Sequence, residues 1–109
     1  MSGTEPEKDM VSRLTNLDAA IHTPARLAIM AYLYVVDSTD YLFLMRLSGL
    51  TWGNLATHLG KLEEAGYVAI EKEFRNKKPY SMVLLTNSGR EAFRNYKDEM
   101  KEIIDGLPD

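Results

Sequence analysis

The stretch from Gly49 to Val68 decides the fold. It reads Gly-Leu-Thr-Trp-Gly-Asn-Leu-Ala-Thr-His-Leu-Gly-Lys-Leu-Glu-Glu-Ala-Gly-Tyr-Val. Thr51 belongs to the residue types that cap helix N-termini, and Gly66 to those that follow helix C-termini. Between them, three leucines recur at spacings of four and three: Leu55, Leu59 and Leu62. This spacing predicts an amphipathic helix from Trp52 to about Ala65 that buries the leucine stripe.

A second short helix is predicted just upstream. Residues 37–39 form a polar break, and Ser38 or Thr39 can cap a helix over Asp40–Ser48. A glycine then ends this helix. Two short helices separated by Gly49-Leu50-Thr51 have the spacing of a helix-turn-helix, here over residues 40–65.

After Gly66 the apolar period changes from that of a helix to that of a strand. Apolar residues alternate with polar or small ones from Val68 to Phe74, as in a half-buried strand. Arg75–Pro79 is a polar turn, and Tyr80–Leu85 is a second run of β-prone residues. The pattern predicts a β-hairpin with a basic tip over residues 67–85.

Further helices flank this unit on both sides. Thr23 is a typical cap for a helix over Pro24–Val36, which is apolar nearly all round and is therefore predicted to be central and buried. Upstream, apolar residues recur at helical spacing: Met10, Leu14, Leu17 and Ile21. Thr86 is a cap for a last helix over residues 87–105.

These elements predict a mainly α-helical fold with one small β-hairpin. At 109 residues the chain supports one compact domain, predicted over residues 10–109. Residues 1–9 mix Ser, Gly, Pro and charged residues, so this segment is expected to be flexible. The N- and C-terminal helices extend beyond the helix-turn-helix and the hairpin.

The outward face of the 52–65 helix is the candidate functional surface. Opposite the leucine stripe lie small, polar or charged residues: Gly53, Asn54, Thr57, Gly60, Lys61 and Glu64. Asn54 can pair with adenine, Thr57 can contact a base or a thymine methyl group, and Lys61 can contact guanine or a phosphate. His58 lies at the flank of this face. The same residues also fit the solvated face of an ordinary surface helix, so the helix alone leaves both interpretations open.

The hairpin favours the DNA-binding interpretation. Its turn carries three cations and an asparagine: Arg75, Asn76, Lys77 and Lys78. A basic turn directly after such a helix can lie along the DNA backbone or in the minor groove. The alternative is a charged edge that protects the strands from aggregation.

Charge is unevenly distributed along the chain, whose formal net charge is -3. Residues 1–20 carry two cations and four acids, and residues 90–109 carry four cations and six acids. Residues 74–80 carry three cations and no acid. Because DNA affinity depends on where the cations lie, the acidic total does not exclude nucleic acid as a partner.

The composition argues against several classes of function. The chain has no cysteine, which excludes disulfides, thiolate zinc sites and thiol redox sensing. Its two histidines, His22 and His58, are far apart and lack a pattern of carboxylates, so neither a metal site nor a cofactor is expected. The sequence shows no close carboxylate pair, no nucleophile–base set and no glycine-rich phosphate loop, so an enzyme is not expected.

The apolar runs are too short for a membrane span. The longest, Leu27–Val36, is well below the roughly 20 residues that cross a bilayer. Residues 1–10 are polar and lack the pattern of a signal peptide. A cytoplasmic protein without a membrane partner is therefore expected.

Several segments together resemble the winged-helix transcriptional regulators of prokaryotes. The Gly49–Leu59 segment and the Leu-Glu-Glu-Ala-Gly-Tyr-Val run at 62–68 are the most specific part of the resemblance. His22–Met30 is similar to the family's opening helix, and Leu85–Arg90 to the start of its last helix. The resemblance covers about residues 16–96 and is closest to the small group related to the MarR and ArsR regulators.

This resemblance implies a homodimer that binds double-stranded DNA and regulates transcription. The second helix of the helix-turn-helix would enter the major groove, and the hairpin, as the wing, would contact the flanking backbone. Groove contacts are implied for Thr51, Asn54, Thr57, His58 and Lys61, and wing contacts for Arg75, Lys77 and Lys78. Trp52 occupies a position that is often small, polar or basic in such proteins, so packing on sugar–phosphate and packing on the protein both stay open.

Two apolar seams at the ends of the chain are candidates for the dimer interface. The last helix carries such residues at spacings of three and four: Phe93, Tyr96, Met100, Ile103 and Leu107. The N-terminal stripe from Met10 to Ile21 has the same rhythm. Because a small domain already has a core in its central helices, these seams are predicted to pair across a two-fold axis. The alternative is that each packs on its own domain.

Two other functions are compatible with the sequence. A winged helix can serve in protein–protein assembly without binding DNA, which suits the acidic net charge. An unknown small-molecule effector could occupy a pocket lined by aromatic and methionine residues: Met30, Tyr32, Tyr34, Tyr41 and Met45. Such residues at helical spacing more often form the core, which is the favoured interpretation.

Overall fold

The computed structural model describes residues 6–109, with side chains from Asp9 onward. Five helices and three strands follow in this order: α1 (Pro6–Thr15), α2 (Pro24–Val36), β1 (Ser38–Asp40), α3 (Tyr41–Ser48), α4 (Trp52–Glu64), β2 (Val68–Arg75), β3 (Lys78–Leu85) and α5 (Asn87–Asp105). The predicted fold class is confirmed. Helix α1 begins inside the 1–9 segment that was expected to be flexible, and residues 1–5 lie outside the described part of the chain.

Helices α2 to α5 each begin at a residue whose side chain caps the helix N-terminus. The hydroxyl oxygens of Thr23, Thr51 and Thr86 each accept a hydrogen bond from the backbone N–H three residues later, at 3.3, 3.1 and 2.9 Å. These bonds confirm the predicted starts of α2, α4 and α5. Helix α3 differs, because the Asp40 carboxylate accepts from the N–H of Leu42 at 2.7 Å and so caps the helix instead of Ser38 or Thr39.

A third strand joins the predicted hairpin. Strand β1 pairs antiparallel with β3, with Thr39 opposite Val83, and the strand order is β1-β3-β2. The segment predicted as a polar break therefore belongs to the sheet. In the hairpin itself Arg75 pairs with Lys78, so the turn consists of Asn76 and Lys77 alone and is shorter than the predicted 75–79 turn.

The N-terminal apolar stripe is not one continuous helix. Helix α1 ends at Thr15, and residues 16–23, here called the α1–α2 connector, have irregular structure. Leu17 and Ile21 lie on this connector, and only 4% and 0% of their surface is exposed. They pack in the core of their own domain and are unavailable to a second molecule.

Side-chain hydrogen bonds hold the α1–α2 connector on the domain. The Tyr67 hydroxyl donates to the Asp18 carboxylate, and Nδ1 of His22 lies 2.6 Å from the Tyr96 hydroxyl on α5. The hydrogen bond to Asp18, together with burial, raises the pKa of Tyr67 to about 12. Tyr67 therefore remains a protonated donor at neutral pH, and the connector stays attached to the turn that follows α4.

Helix α2 is the centre of the hydrophobic core, as predicted. Ile29, Met30 and Leu33 on this helix are almost completely buried. The leucine stripe of α4 and Val83 of β3 belong to the same cluster and are equally buried. Each buried leucine contributes about 1.5–3 kcal/mol through removal of apolar surface from water, so the α4 stripe is a major stabilising element.

Helix α5 approaches the backbone of the α4–β2 turn at Gly89. A Cβ at this buried position would lie 2.8 Å from the carbonyl carbon of Tyr67, nearer still to its oxygen, and 2.9 Å from Cδ1 of Leu85. The same Tyr67 carbonyl accepts the N–H of Thr86 at 3.0 Å, so it cannot move away freely. Only glycine fits here, and the direction in which α5 leaves the sheet depends on it.

We therefore expect Gly89→Ala to destabilise the protein by about 3 kcal/mol, because the new methyl group meets fixed backbone atoms. Gly60 on α4 is the matched control, since a Cβ there meets nothing within 4 Å. Gly60→Ala should stabilise the protein by about 0.5–1 kcal/mol through helix propensity. Urea unfolding measures both, and equal effects of the two substitutions would contradict the close approach at Gly89.

Candidate nucleic-acid interface

Burial of the leucine stripe exposes the opposite face of α4. Asn54, Thr57 and Lys61 are all exposed and follow one another at spacings of three and four, so they share that face. The Thr57 hydroxyl donates to the Gly53 carbonyl at 3.0 Å, which leaves its oxygen free to accept a hydrogen bond. From Asn54 to Lys61 the helix rises about 10 Å, or about three base-pair steps of DNA.

Thr51 and His58 differ from these three residues. The Thr51 hydroxyl is occupied by the cap of α4, although the residue is exposed. His58 is partly buried at the side of α4 that faces α2, where its Nδ1 lies 3.1 Å from a guanidinium nitrogen of Arg26. The structure therefore gives Thr51 a defined role in the fold and places His58 at the edge of the outward face.

Trp52 packs on the protein with one side of its ring and remains 58% exposed. Its ring centroid lies 4.7 Å from that of Tyr41, at an interplanar angle of 41°. Trp52 also borders a cleft of about 490 Å³ between the start of α4 and the hairpin. The cleft is lined by aromatic, apolar, cationic and other polar residues: Asp40, Tyr41, Leu42, Trp52, Lys72, Lys78, Pro79, Tyr80 and Ser81. The N-terminus of α4 and the basic hairpin thus border one concave surface.

Lys72 was not among the residues proposed from the sequence. Lys72 and Lys78 both line this cleft, and Lys72 is on the same side of β2 as Val68 and Ile70. The strand period of two already placed Lys72 on the side that faces the helices, and this was the signal that could have identified it.

The tip of the hairpin has an unusual backbone. Asn76 and Lys77 have positive φ angles of 52° and 67°, as the two central residues of a type I′ turn require. Asparagine tolerates this conformation, whereas lysine is unfavourable in it. Lys77 is therefore held at the tip of the hairpin at a cost in stability.

Arg75 is partly engaged within the hairpin. Its guanidinium group lies 3.5 Å from the Glu73 carboxylate and 5.3 Å from the centroid of the Tyr80 ring. Both charged side chains of the pair are exposed, so the ion pair is weak and solvent-screened. Lys77 and Lys78 form no ion pair within the part of the chain that the structure describes.

The chain matches the family of winged helix DNA-binding domains over residues 25–104. It belongs to this family. The structure accounts for the match, since the matched range contains the helix-turn-helix of α3 and α4, the hairpin and all but the last residue of α5.

Similar proteins come from archaea and bacteria. An uncharacterized protein of Methanocaldococcus jannaschii is 37% identical over 78 residues, which are 72% of this chain and 85% of that protein. The structure of a transcriptional regulator homologue from Pyrococcus horikoshii OT3 has a TM-score of 0.83 and 27% identity, covering 91% of this chain and 97% of that one. A MarR-family transcriptional regulator from Silicibacter pomeroyi has a TM-score of 0.62 and 20% identity, covering 94% and 72%. The last comparison concerns the fold, which MarR-family regulators share with this winged-helix chain.

Most of the predicted dimer residues are buried within a single chain. Besides Leu17 and Ile21, this holds for the α5 residues Phe93, Tyr96 and Ile103. These five residues belong to the core cluster of their own chain, which favours the alternative that the two seams pack on their own domain. Met10, Leu14 and Met100 are partly buried, and Leu107 is 45% exposed.

The aromatic residues considered for an effector pocket are dispersed. Met30 and Tyr41 are buried in the core, and Tyr32 packs against Phe43, with ring centroids 5.9 Å apart. Tyr34 lies beside three cations of α5: Arg90, Arg94 and Lys97. A hydrogen bond with Arg94, assisted by the charges of Lys97 and the two arginines, lowers the pKa of Tyr34. The five residues do not line a common pocket, in agreement with the favoured core interpretation.

Residues 6–109 contain neither a membrane-spanning helix nor a cluster of metal ligands. No helix there is both long and apolar enough to span a membrane. Within the same residues, no three histidine or carboxylate side chains cluster in a way that could hold a metal ion.

The strained turn gives a test of the hairpin geometry. Lys77→Gly should raise the free energy of unfolding by about 0.5–1 kcal/mol, because glycine adopts positive φ without steric cost. Lys78→Gly, which removes the same charge from a residue in β3, should lower it, since glycine weakens a strand. Urea unfolding at one protein concentration compares the two variants, and a destabilised Lys77→Gly would show that the turn is not strained.

Proposed function

We propose that this winged-helix protein binds double-stranded DNA sequence-specifically as a homodimeric transcriptional regulator, with α4 in the major groove and the hairpin on the flanking backbone or minor groove. One observation carries the proposal. The start of α4, with Trp52, and the basic hairpin, with Lys72 and Lys78, border the same cleft. A duplex lying against α4 can therefore contact the hairpin at the same time.

The glycines of α4 support a close approach of another molecule. A Cβ at Gly53 or Gly60 would meet nothing within 4 Å, so the fold itself does not require glycine at either position. Each glycine weakens the helix by roughly 0.5–1 kcal/mol relative to alanine. Both lie on the face opposite the leucine stripe, where the absence of side chains leaves room for base edges and phosphates.

Each side chain of the outward face has a distinct proposed role. Asn54 and Thr57 contact base edges, and Lys61, one turn further along, contacts guanine or a phosphate. Thr51 positions the start of the helix and so contributes through the backbone N–H groups there. The exposed side of the Trp52 ring contacts the sugar–phosphate backbone of the DNA strand that crosses the cleft.

The hairpin supplies the part of the affinity that does not depend on sequence. Lys77 and Lys78 are exposed, and neither takes part in an ion pair within the described residues. Arg75 and Asn76 complete the basic tip, and Lys72 adds a cation on the cleft side. Contacts of cations with phosphates release counterions and make the affinity depend on salt.

The end of α5 is the proposed centre of the dimer. The molecule is elongated, with extents of 68 × 26 × 26 Å and a radius of gyration of 16.9 Å, against about 13 Å for a compact domain of this size. Ile104, in the last turn of α5, is 56% exposed, and Leu107, just beyond the helix, is 45% exposed. We propose that these residues, with the partly buried Met10, Leu14 and Met100, form the interface with a second copy.

The DNA contacts are tested by titration against duplexes selected from a random pool. Lys78→Ala should weaken binding to every duplex and reduce the slope of log affinity against log salt by about 0.9, the contribution of one phosphate contact. Asn54→Ala should instead cost about 1–3 kcal/mol at one base position and relax specificity there.

A different set of results would favour the alternative of protein–protein assembly without DNA readout. If no duplex were enriched, and if log affinity did not fall linearly with log salt concentration, the proposed function would be wrong. If Asn54→Ala weakened all duplexes equally, Asn54 would not contact a base.

The dimer is tested at exposed positions, because Tyr96 and Ile103 are core residues and truncation of α5 would unfold the domain. Ile104→Asp and Leu107→Asp should give folded monomers in sedimentation, since a buried carboxylate disfavours the interface. Leu47→Asp is the matched control, because Leu47 is similarly exposed but lies on α3, outside the proposed interface. An unchanged dimer in the Ile104 and Leu107 variants, or a wild-type monomer, would contradict the proposed interface.

A further inference from the structure

Arg26 connects three parts of the domain through one guanidinium group. Its Nε donates to the carbonyl of Ala20 at 2.6 Å, and one terminal nitrogen donates to the carbonyl of Ala19 at 3.4 Å. The other terminal nitrogen lies 3.1 Å from Nδ1 of His58 on α4. Because Arg26 belongs to the first turn of α2, it joins α2, the α1–α2 connector and α4. Two backbone carbonyls therefore hold the guanidinium plane in place beside the imidazole.

This contact determines which nitrogen of His58 carries the proton. A guanidinium group has donors and no acceptor, so Nδ1 of His58 must be the acceptor. A neutral imidazole that accepts at Nδ1 has its N–H at Nε2. Within residues 6–109, none of the hydrogen bonds involves Nε2 of His58, and no buried side-chain nitrogen or oxygen lacks a partner. Nε2 is therefore not fully buried.

His58 lies between the buried stripe and the outward face of α4. A helix in the major groove presents its outward face to the bases, and the sides of the helix are near the phosphates that border the groove. We propose that Arg26 is a positioning residue, which keeps the proton of the neutral His58 imidazole on Nε2, so that Nε2–H binds a backbone phosphate beside α4. The inference rests on the proposed DNA-binding function and adds a contact that is independent of the hairpin.

Direct contact of Arg26 with a phosphate is the competing explanation, and salt dependence separates the two. A cation placed on a phosphate releases a counterion and contributes about 0.9 to the salt slope. A neutral N–H donor releases none. Loss of the His58 contact therefore lowers the affinity by the same factor at every salt concentration.

The first experiment needs no DNA. Nitrogen-15 NMR of the imidazole side chains, at about pH 8 where histidines are neutral, distinguishes N–H at Nε2 from N–H at Nδ1. The chain has two histidines, and a His22→Gln variant assigns the signals. We expect His58 in the wild-type protein to have its proton on Nε2, and Arg26→Met to reduce this preference. A proton on Nδ1 in the wild-type protein would overturn the inference.

The second experiment is a double-mutant cycle on DNA affinity. His58→Phe, which keeps the ring shape without a donor, should weaken binding about tenfold at each salt concentration, with an unchanged salt slope. Arg26→Met should weaken binding to a similar extent, and the double variant should be no weaker than His58→Phe alone. Additive losses, a slope reduced by about 0.9 in Arg26→Met, or full rescue by Arg26→Lys would overturn the positioning role in favour of direct phosphate contact.

Tyr67→Phe is the control for a purely structural effect. It removes the hydrogen bond from Tyr67 to Asp18 on the same connector and touches neither Arg26 nor His58. It should lower thermal stability and leave both the His58 tautomer and the DNA affinity unchanged. If the wild-type protein binds no DNA, the proposed function fails together with the phosphate contact, whereas the NMR result still decides whether Arg26 sets the tautomer.

Discussion

The burial of one leucine stripe against α2 is the constraint on which the candidate interface depends. Side chains on a helix keep fixed angular positions relative to one another. Once Leu55, Leu59 and Leu62 are buried, the rotation of α4 about its own axis is determined. Asn54 then faces outward, and His58 comes to lie beside α2. No further contacts are needed to orient the side chains of the candidate interface, because packing of the core already does so.

The parts of the fold that the sequence predicted are those with long periods or specific caps. Thirteen-residue helices α2 and α4 show their buried faces clearly, and three threonines mark helix starts that the structure confirms. Strand β1 was missed because three residues cannot display a period, and its place depends on pairing with β3 residues that lie more than 40 positions later in the chain. The two-residue turn was also missed, because lysine is an unfavourable residue for positive φ.

At the chain ends the apolar period alone left two partners open, a second copy and the protein's own core. A period of three and four shows that a helix face is buried, but it does not show which molecule covers it. In α5 the face with Phe93, Tyr96 and Ile103 is covered by the protein's own α1 and α2, and the exposed apolar residues lie at the end of the helix. Lys72 and Arg26 were overlooked because their importance arises from neighbours distant in sequence.

The close approach at Gly89 bears on the spacing of the DNA half-sites that a dimer could bind. The backbone of Tyr67 follows α4 directly, and Gly89 holds the first turn of α5 against it. The angle between α4 and α5 is therefore set by backbone contact rather than by a flexible link. In a dimer joined at the ends of α5, that angle determines the distance between the two copies of α4. The required spacing between the two half-sites of an operator would then depend on Gly89, a residue without a side chain. Because the contact at Gly89 leaves the α4–α5 angle little freedom, operators with a different half-site spacing would bind more weakly.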